Sequence, residues 1–164
     1  MNTLLRTNNS LLGKIMITKL DNPSIEKLNK ILDIWLNVNI EAHHFVDEQY
    51  WRDNYEDVQK SLPDAELYVA IENDEIVAFL GLSDSYIAGL FVRNDYRHQG
   101  IGGALLETVK QTNSSLKLSV YEKNVAAVNF YITNGFIAQA TDVDLKTNEV
   151  EFLMVWHQQN HATI

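Results

Sequence analysis

Arg97-His98-Gln99-Gly100-Ile101-Gly102-Gly103 is the stretch on which the reading of this chain turns. It lies between an apolar run at 86–92, which reads as a strand, and a segment with Leu105, Leu106 and Val109 at helical spacing. Glycines here let the main chain approach a ligand with no side chain in the way. A helix start also presents unpaired N–H groups and the positive end of its dipole. Phosphate or pyrophosphate is the natural guest of such a place. A glycine-rich turn without a ligand has the same local sequence. The chain has no Gly-x-x-x-x-Gly-Lys, so it has no P-loop. Counted from Gly100, a dinucleotide fingerprint needs glycine where Leu105 stands, so that pattern fails too.

Upstream, Asn22-Pro23 reads as a helix start with Asn22 as cap. Ile25, Leu28, Ile31, Leu32, Trp35 and Leu36 then recur on one helical face, and the helix should end near Ala42. Asp47 caps a second helix with Trp51, Tyr55 and Val58. Residues 67–71 and 76–82 read as a hairpin around Asn73-Asp74, and Asp84-Ser85 turns the chain into the run at 86–92. Downstream, 116–120 is a strand, and Asn124 caps a helix that Gly135 ends. Residues 136–143 and 150–156 close the order as a hairpin around Lys146-Thr147-Asn148. Strand runs separated by single helices predict an α/β or α+β sheet with helices on its faces.

The second informative stretch runs from Asn124 through Ala127, Phe130-Tyr131 and Gly135-Phe136. Arg-x-x-Gly-x-Gly, one strand, then Asn-x-x-Ala-x-x-Phe-Tyr-x-x-x-Gly-Phe resembles the GNAT superfamily of N-acetyltransferases. The order of elements fits that family from about Ile15 to Trp156. Ile34-Trp35 followed by Ala42-His43-His44-Phe45 resembles its small bacterial YjaB-type members.

The resemblance implies a mixed, mostly antiparallel sheet of six to seven strands. It implies helices on both faces and a V-shaped opening between the fourth and fifth strands. It implies acetyl-coenzyme A as co-substrate and no metal. The main chain of Leu90, Phe91 and Val92 would pair with the pantetheine arm. Arg97, with the N–H groups of His98, Gln99, Gly100, Ile101, Gly102 and Gly103, would hold the pyrophosphate. Asn124 would hydrogen-bond the pantetheine, Ala127 would belong to the same cofactor-binding set, and Tyr131 would lie at the thioester sulfur.

Acetyl transfer to an amine has three chemical requirements. The amine must lose a proton, since an ammonium of pKa about 10.4 has no lone pair. The developing oxyanion needs fixed donors, for which an N–H near Phe91 or Val92 is the candidate. The thiolate needs a proton, and the Tyr131 hydroxyl is the candidate acid; packed as a plain aromatic ring, it would have no such role. For the base, the fourth strand reads Tyr86-Ile87-Ala88-Gly89-Leu90 and offers no carboxylate. Glu41, His43, His44 and Asp84 are the substitutes, His43 first, with water as an alternative. Trp35, Phe45, Trp51 and Tyr55 either line an acceptor pocket or belong to the core.

The chain has 164 residues, 46% hydrophobic and 21% charged, which suits one folded domain. Residues 15–157 are expected to form it, with a flexible extension at 1–14 and a tail at 158–164. Met16, which opens the first strand-like run, is a second candidate start beside Met1. The chain has no cysteine, which rules out disulfides and cysteine nucleophiles and fits a cytoplasmic location. The net charge of −9 opposes nucleic acid and favours cationic partners. No apolar run is long enough to cross a bilayer. A monomer or homodimer acting on a small-molecule or peptide amine is expected. An acyl-CoA-binding sensor without turnover is the alternative.

Overall fold

The computed structural model describes residues 14–159. Most of the extension at 1–14 and of the tail at 158–164 lies outside the described residues. Met16 opens the first strand, β1 (Met16–Lys19). Helix α1 (Ile25–Ala42) follows, and its cap is Ser24, whose hydroxyl accepts from the Lys27 N–H at 3.2 Å. Asn22 does not cap it. With φ at +46°, Asn22 turns the chain before Pro23 instead. The buried face of α1 is carried by Ile31, Leu32 and Ile34, while Ile25 at its first turn is exposed. Helix α2 (Glu48–Ser61) is capped by Asp47, which accepts from the Gln49 N–H at 2.9 Å.

Three strands make a meander: β2 (Glu66–Glu72), β3 (Glu75–Ser83) and β4 (Tyr86–Val92). Both of its turns, Asn73-Asp74 and Asp84-Ser85, have two consecutive positive φ values. Such turns match the right-handed twist of hairpin strands. Helix α3 (Ile101–Lys110) leads to β5 (Ser115–Tyr121), and α4 (Val125–Thr133) to the hairpin of β6 (Ile137–Asp144) and β7 (Glu149–His157).

The seven strands form one sheet in the order β1-β2-β3-β4-β5-β7-β6. Side chains alternate across it. On β2, Leu67 and Val69 join the core under α1, while Tyr68 and Ala70 join the core under α3. Leu105, Leu106 and Val109 of α3 are fully buried there, each worth about 1.5–3 kcal/mol over exposure. No helix among the described residues is long and apolar enough to cross a membrane.

Two irregularities create the working part of the sheet. In the β3–β4 ladder Gly81 pairs with Gly89 but Leu82 pairs with Ile87, so Ala88 is an extra residue on β4. A bulge of this kind bends its strand. The other irregularity is the parallel β4–β5 pairing, which is confined to Tyr86 and Lys117. Every other ladder is antiparallel. Beyond that single point β4 and β5 part, which is the V-shaped opening the family resemblance implies.

Candidate active site

The β4 main chain facing the opening has unused polar groups. Arg93 N–H donates to the Val77 carbonyl at 3.0 Å. In an antiparallel ladder, hydrogen-bonded pairs alternate with pairs whose polar groups point outward. The Phe79–Phe91 pair is therefore bonded, and the Leu80–Leu90 and Ala78–Val92 pairs turn their N–H and C=O groups away from each other. Leu90 and Val92 thus offer backbone groups to the gap, whereas those of Phe91 are tied to β3. Of the two N–H groups suggested for the oxyanion, only that of Val92 faces the opening, and that of Leu90 joins it.

At the end of β4 the chain makes a short 3-10 turn (Asn94–Tyr96) and enters the glycine loop. His98 and Gly100 adopt left-handed conformations, φ +63° and +81°. Among the described residues, no hydrogen bond uses the N–H groups of residues 98–103 as donors; the first helical bond is Ala104 N–H to Gly100 C=O, 3.1 Å. Several converging free donors at a helix start form an anion cradle. A Cβ on Gly102 would stand 3.1 Å from Phe130 Cζ and 3.9 Å from Leu90 Cδ2, so the position admits no side chain without displacing a wall.

These parts line a cavity of ≈ 480 Å³. Leu90, Val92, Arg97, His98, Gly100, Ile101, Gly102 and Gly103 line one side, and Asn124, Ala127 and Tyr131 the other. Gln99 and Phe91 do not line it: Gln99 is exposed, and Phe91 packs its ring 5.1 Å from Phe79 on the α1 side. Arg97 forms an ion pair with Glu41 across the cavity rim, 3.3 Å.

A second, smaller cavity of ≈ 230 Å³ lies beside it. Leu90, Asn124, Ala127 and Tyr131 line both. Tyr131 is buried, and no hydrogen bond among the described residues ends on its hydroxyl. Burial pushes that hydroxyl well above the ordinary tyrosine range, so it stays protonated.

Trp35, Trp51 and His43 wall the second cavity, while Tyr55 belongs to the core under α1. Phe45 stands edge-on to both His43 and Tyr121. The His43 ring stacks on Trp51 at 5.2 Å. Its Nδ1 lies 3.1 Å from the Asn39 carbonyl, which only accepts, so Nδ1 carries the proton. Nε2 is then an acceptor, and Asn124 Nδ2 donates to it at 3.1 Å. Asn124 cannot be turned the other way, because its Oδ1 accepts from Ala127 N–H. Burial lowers the imidazole pKa, partly opposed by the bond to Asn39. His43 is therefore neutral, and its one lone pair is already engaged. That is the physical objection to His43 as a free base.

The other base candidates lie elsewhere. Glu41 is paired to Arg97, and His44 is exposed. Asp84 sits in the turn at the closed end of β4, roughly 20 Å along the strand from Leu90 at about 3.3 Å per residue. One carboxylate the sequence reading passed over, Glu151 of β7, does line the second cavity. Only the β5–β7 register, Tyr121 opposite Glu151, brings it there. Among the described residues, no group of three or more histidine or acidic side chains is arranged to hold a metal ion.

A bent β4, a parted β5, a glycine anion cradle and a tyrosine between two cavities define an acyltransferase of the GNAT fold. The family model for the acetyltransferase (GNAT) domain matches residues 63–138. The chain belongs to the GNAT family of acetyltransferases. It is 35% identical over 112 residues to the peptidyl-lysine N-acetyltransferase YiaC of Escherichia coli K12, covering 67% of this chain and 77% of that one. The solution structure of apo YjaB from Escherichia coli superposes with a TM-score of 0.76 at 28% identity, covering 88% of this chain and 99% of that one. A Bacillus anthracis crystal structure holding acetyl coenzyme A matches with a TM-score of 0.54 at 26% identity, over 58% of this chain and 63% of that one.

Proposed function

We propose that this chain moves the acetyl group of acetyl-coenzyme A directly to a primary amine, and that the amine is a lysine side chain of a peptide or protein. The observation that carries the reading is the parted β4–β5 edge, with free backbone groups between a phosphate cradle and Tyr131. The lysine acceptor is supported by the similarity to YiaC, a peptidyl-lysine N-acetyltransferase, and by the net charge of −9, which attracts cationic segments.

Acetyl-coenzyme A, when bound, supplies an activated acyl thioester. The free N–H and C=O groups of Leu90 and Val92 bind the pantetheine arm as an added strand. Arg97 and the N–H groups of residues 98–103 hold the pyrophosphate. Gln99 contributes through its main chain alone. An N–H of Leu90 or Val92 donates to the thioester oxygen as negative charge develops, an effect of about 3 kcal/mol in comparable sites. Tyr131 donates its hydroxyl hydrogen to the sulfur as the C–S bond breaks, and regains one as the acylated nitrogen sheds its surplus proton to become the amide. The desolvation that makes Tyr131 a weak acid also makes the sulfur more basic, so the two stay matched. Asn124 and Ala127 hold α4, and with it Tyr131, against the cavity. His43 orients the acceptor side as a neutral positioning group.

Residues 15–157 act as one domain, in the cytoplasm, as a monomer or homodimer, without nucleic acid or membrane. The test is incubation with acetyl-coenzyme A and a lysine-bearing peptide, read by mass spectrometry. A mass gain of one acetyl group on lysine is expected. Selective binding of acetyl-coenzyme A with no acetylated product from peptides, polyamines or amino acids would overturn the reading and favour a sensor.

A further inference from the structure

The second cavity is built to receive a polar group. Asn39 and Trp51 are 3% and 8% exposed, and among the described residues Asn39 Nδ2 and Trp51 Nε1 have no partner. Each lines this cavity. A buried donor without a partner costs roughly 1–3 kcal/mol, a cost an entering polar group removes.

The cavity also holds one carboxylate. Glu151 stands opposite Tyr121 on one side and Asp142 on the other. Strand alternation puts Asp142 and Asp144 of β6 and Glu149 and Glu151 of β7 on one face of the hairpin. The others have partners or lie outside the cavity. Glu149 pairs with Lys123 at 3.0 Å, Asp144 accepts from the Tyr121 hydroxyl at 2.7 Å, and Asp142 does not line the cavity. Among the described residues no hydrogen bond or ion pair engages the Glu151 carboxylate.

We propose that Glu151 is the acceptor-side carboxylate: it receives the ammonium of the incoming amine and takes one proton from it. The proposal rests on the acetyltransferase reading above. In the step, one N–H bond of R–NH3+ breaks and an O–H bond forms on Glu151. The freed amine lone pair is then available to the acyl carbon, and Glu151 returns its proton to solvent at the cavity mouth. Burial, then the charges of Asp144 and Asp142, hold the Glu151 carboxyl above its ordinary range. The same burial lowers an ammonium's pKa, which narrows the gap the proton must cross. Around Glu151 stand Tyr121 on β5, Asp142 and Asp144 on β6, Tyr50 on α2, His43 at the end of α1, and the Lys123–Glu149 pair.

The experiment compares wild type with Glu151→Gln in three readouts: acetyl-coenzyme A affinity, lysine-peptide affinity by calorimetry, and kcat/KM against pH. Loss of a general base costs on the order of 100-fold or more. The expected result is a fall in kcat/KM of that size with acetyl-coenzyme A affinity unchanged, weaker peptide binding, and loss of the acid limb of the pH profile. Asp142→Asn removes a like charge, so the acid limb of that variant should move to lower pH. A Glu151→Gln protein that keeps kcat/KM within about threefold of wild type, with the same acid limb, would overturn the proposal and leave the acetyltransferase reading standing. Glu151-dependent peptide binding without turnover in wild type would uphold the ammonium site and overturn the acetyltransferase reading.

Discussion

Asn124 Nδ2 donates to His43 Nε2 at 3.1 Å, joining residues 81 positions apart. Asn124 caps α4, the helix of Tyr131, and His43 ends α1, the helix that walls the second cavity. One side chain therefore sets both the start of α4 and the tautomer of His43.

Asn124→Ala removes the cap and the imidazole's partner together. Loss of an asparagine cap costs about 1 kcal/mol, and the lost bond to His43 roughly another 1 kcal/mol. For a chain of this size each corresponds to about 2–4 °C in Tm. Calorimetry should show a fall of several degrees; an unchanged Tm would mean that α4 does not depend on this cap.

His43 makes stability depend on pH with a definite sign. Burial holds its folded pKa below the ordinary value of 6.5. The unfolded chain binds the proton more readily, so the stabilisation is present above about pH 6.5 and is lost as pH falls through the folded pKa. Urea unfolding of wild type and His43→Gln should show a stability gap at pH 7.5 that shrinks at pH 5. A gap independent of pH would show that His43 contributes by packing alone.

Tyr131→Phe should lower kcat ten-fold or more and leave acetyl-coenzyme A affinity and Tm nearly unchanged, because no hydrogen bond among the described residues ends on the hydroxyl. Since burial raises its pKa, wild-type activity should show no tyrosine limb near pH 10. Full turnover in the phenylalanine variant would remove Tyr131 from the chemistry.

Gly102→Val places a branched side chain against Phe130, where a Cβ alone stands 3.1 Å from the ring. Acetyl-coenzyme A binding should weaken by about ten-fold or more, a loss near 1.4 kcal/mol or above, while the circular dichroism spectrum is kept. Equal affinity by calorimetry would sink the phosphate cradle.

Glu41→Gln releases Arg97 from its exposed ion pair. Such pairs are worth about 0–1 kcal/mol, so acetyl-coenzyme A should bind up to roughly fivefold tighter. Weaker binding would show that Glu41 orients Arg97 for the phosphate instead of competing for it.

The sequence by itself determined what is local. Turns at Asn73-Asp74 and Asp84-Ser85, the caps Asp47 and Asn124, the glycine cradle and the Asn124-to-Phe136 motif are each set by neighbouring residues, and each was legible. Ser24 taking the cap in place of Asn22 is a shift of two positions, settled by which side chain reaches the Lys27 N–H. Tertiary structure decided the rest. Whether Leu90 or Phe91 faces the opening depends on the bulge at Ala88 and the ladder phase set by Val77 and Arg93. Glu151 reaches the second cavity through the β5–β7 register, and His43 loses its free lone pair to Asn124. These are contacts between groups far apart along the chain. No local pattern encodes them, because they form only when the sheet has brought its strands into register.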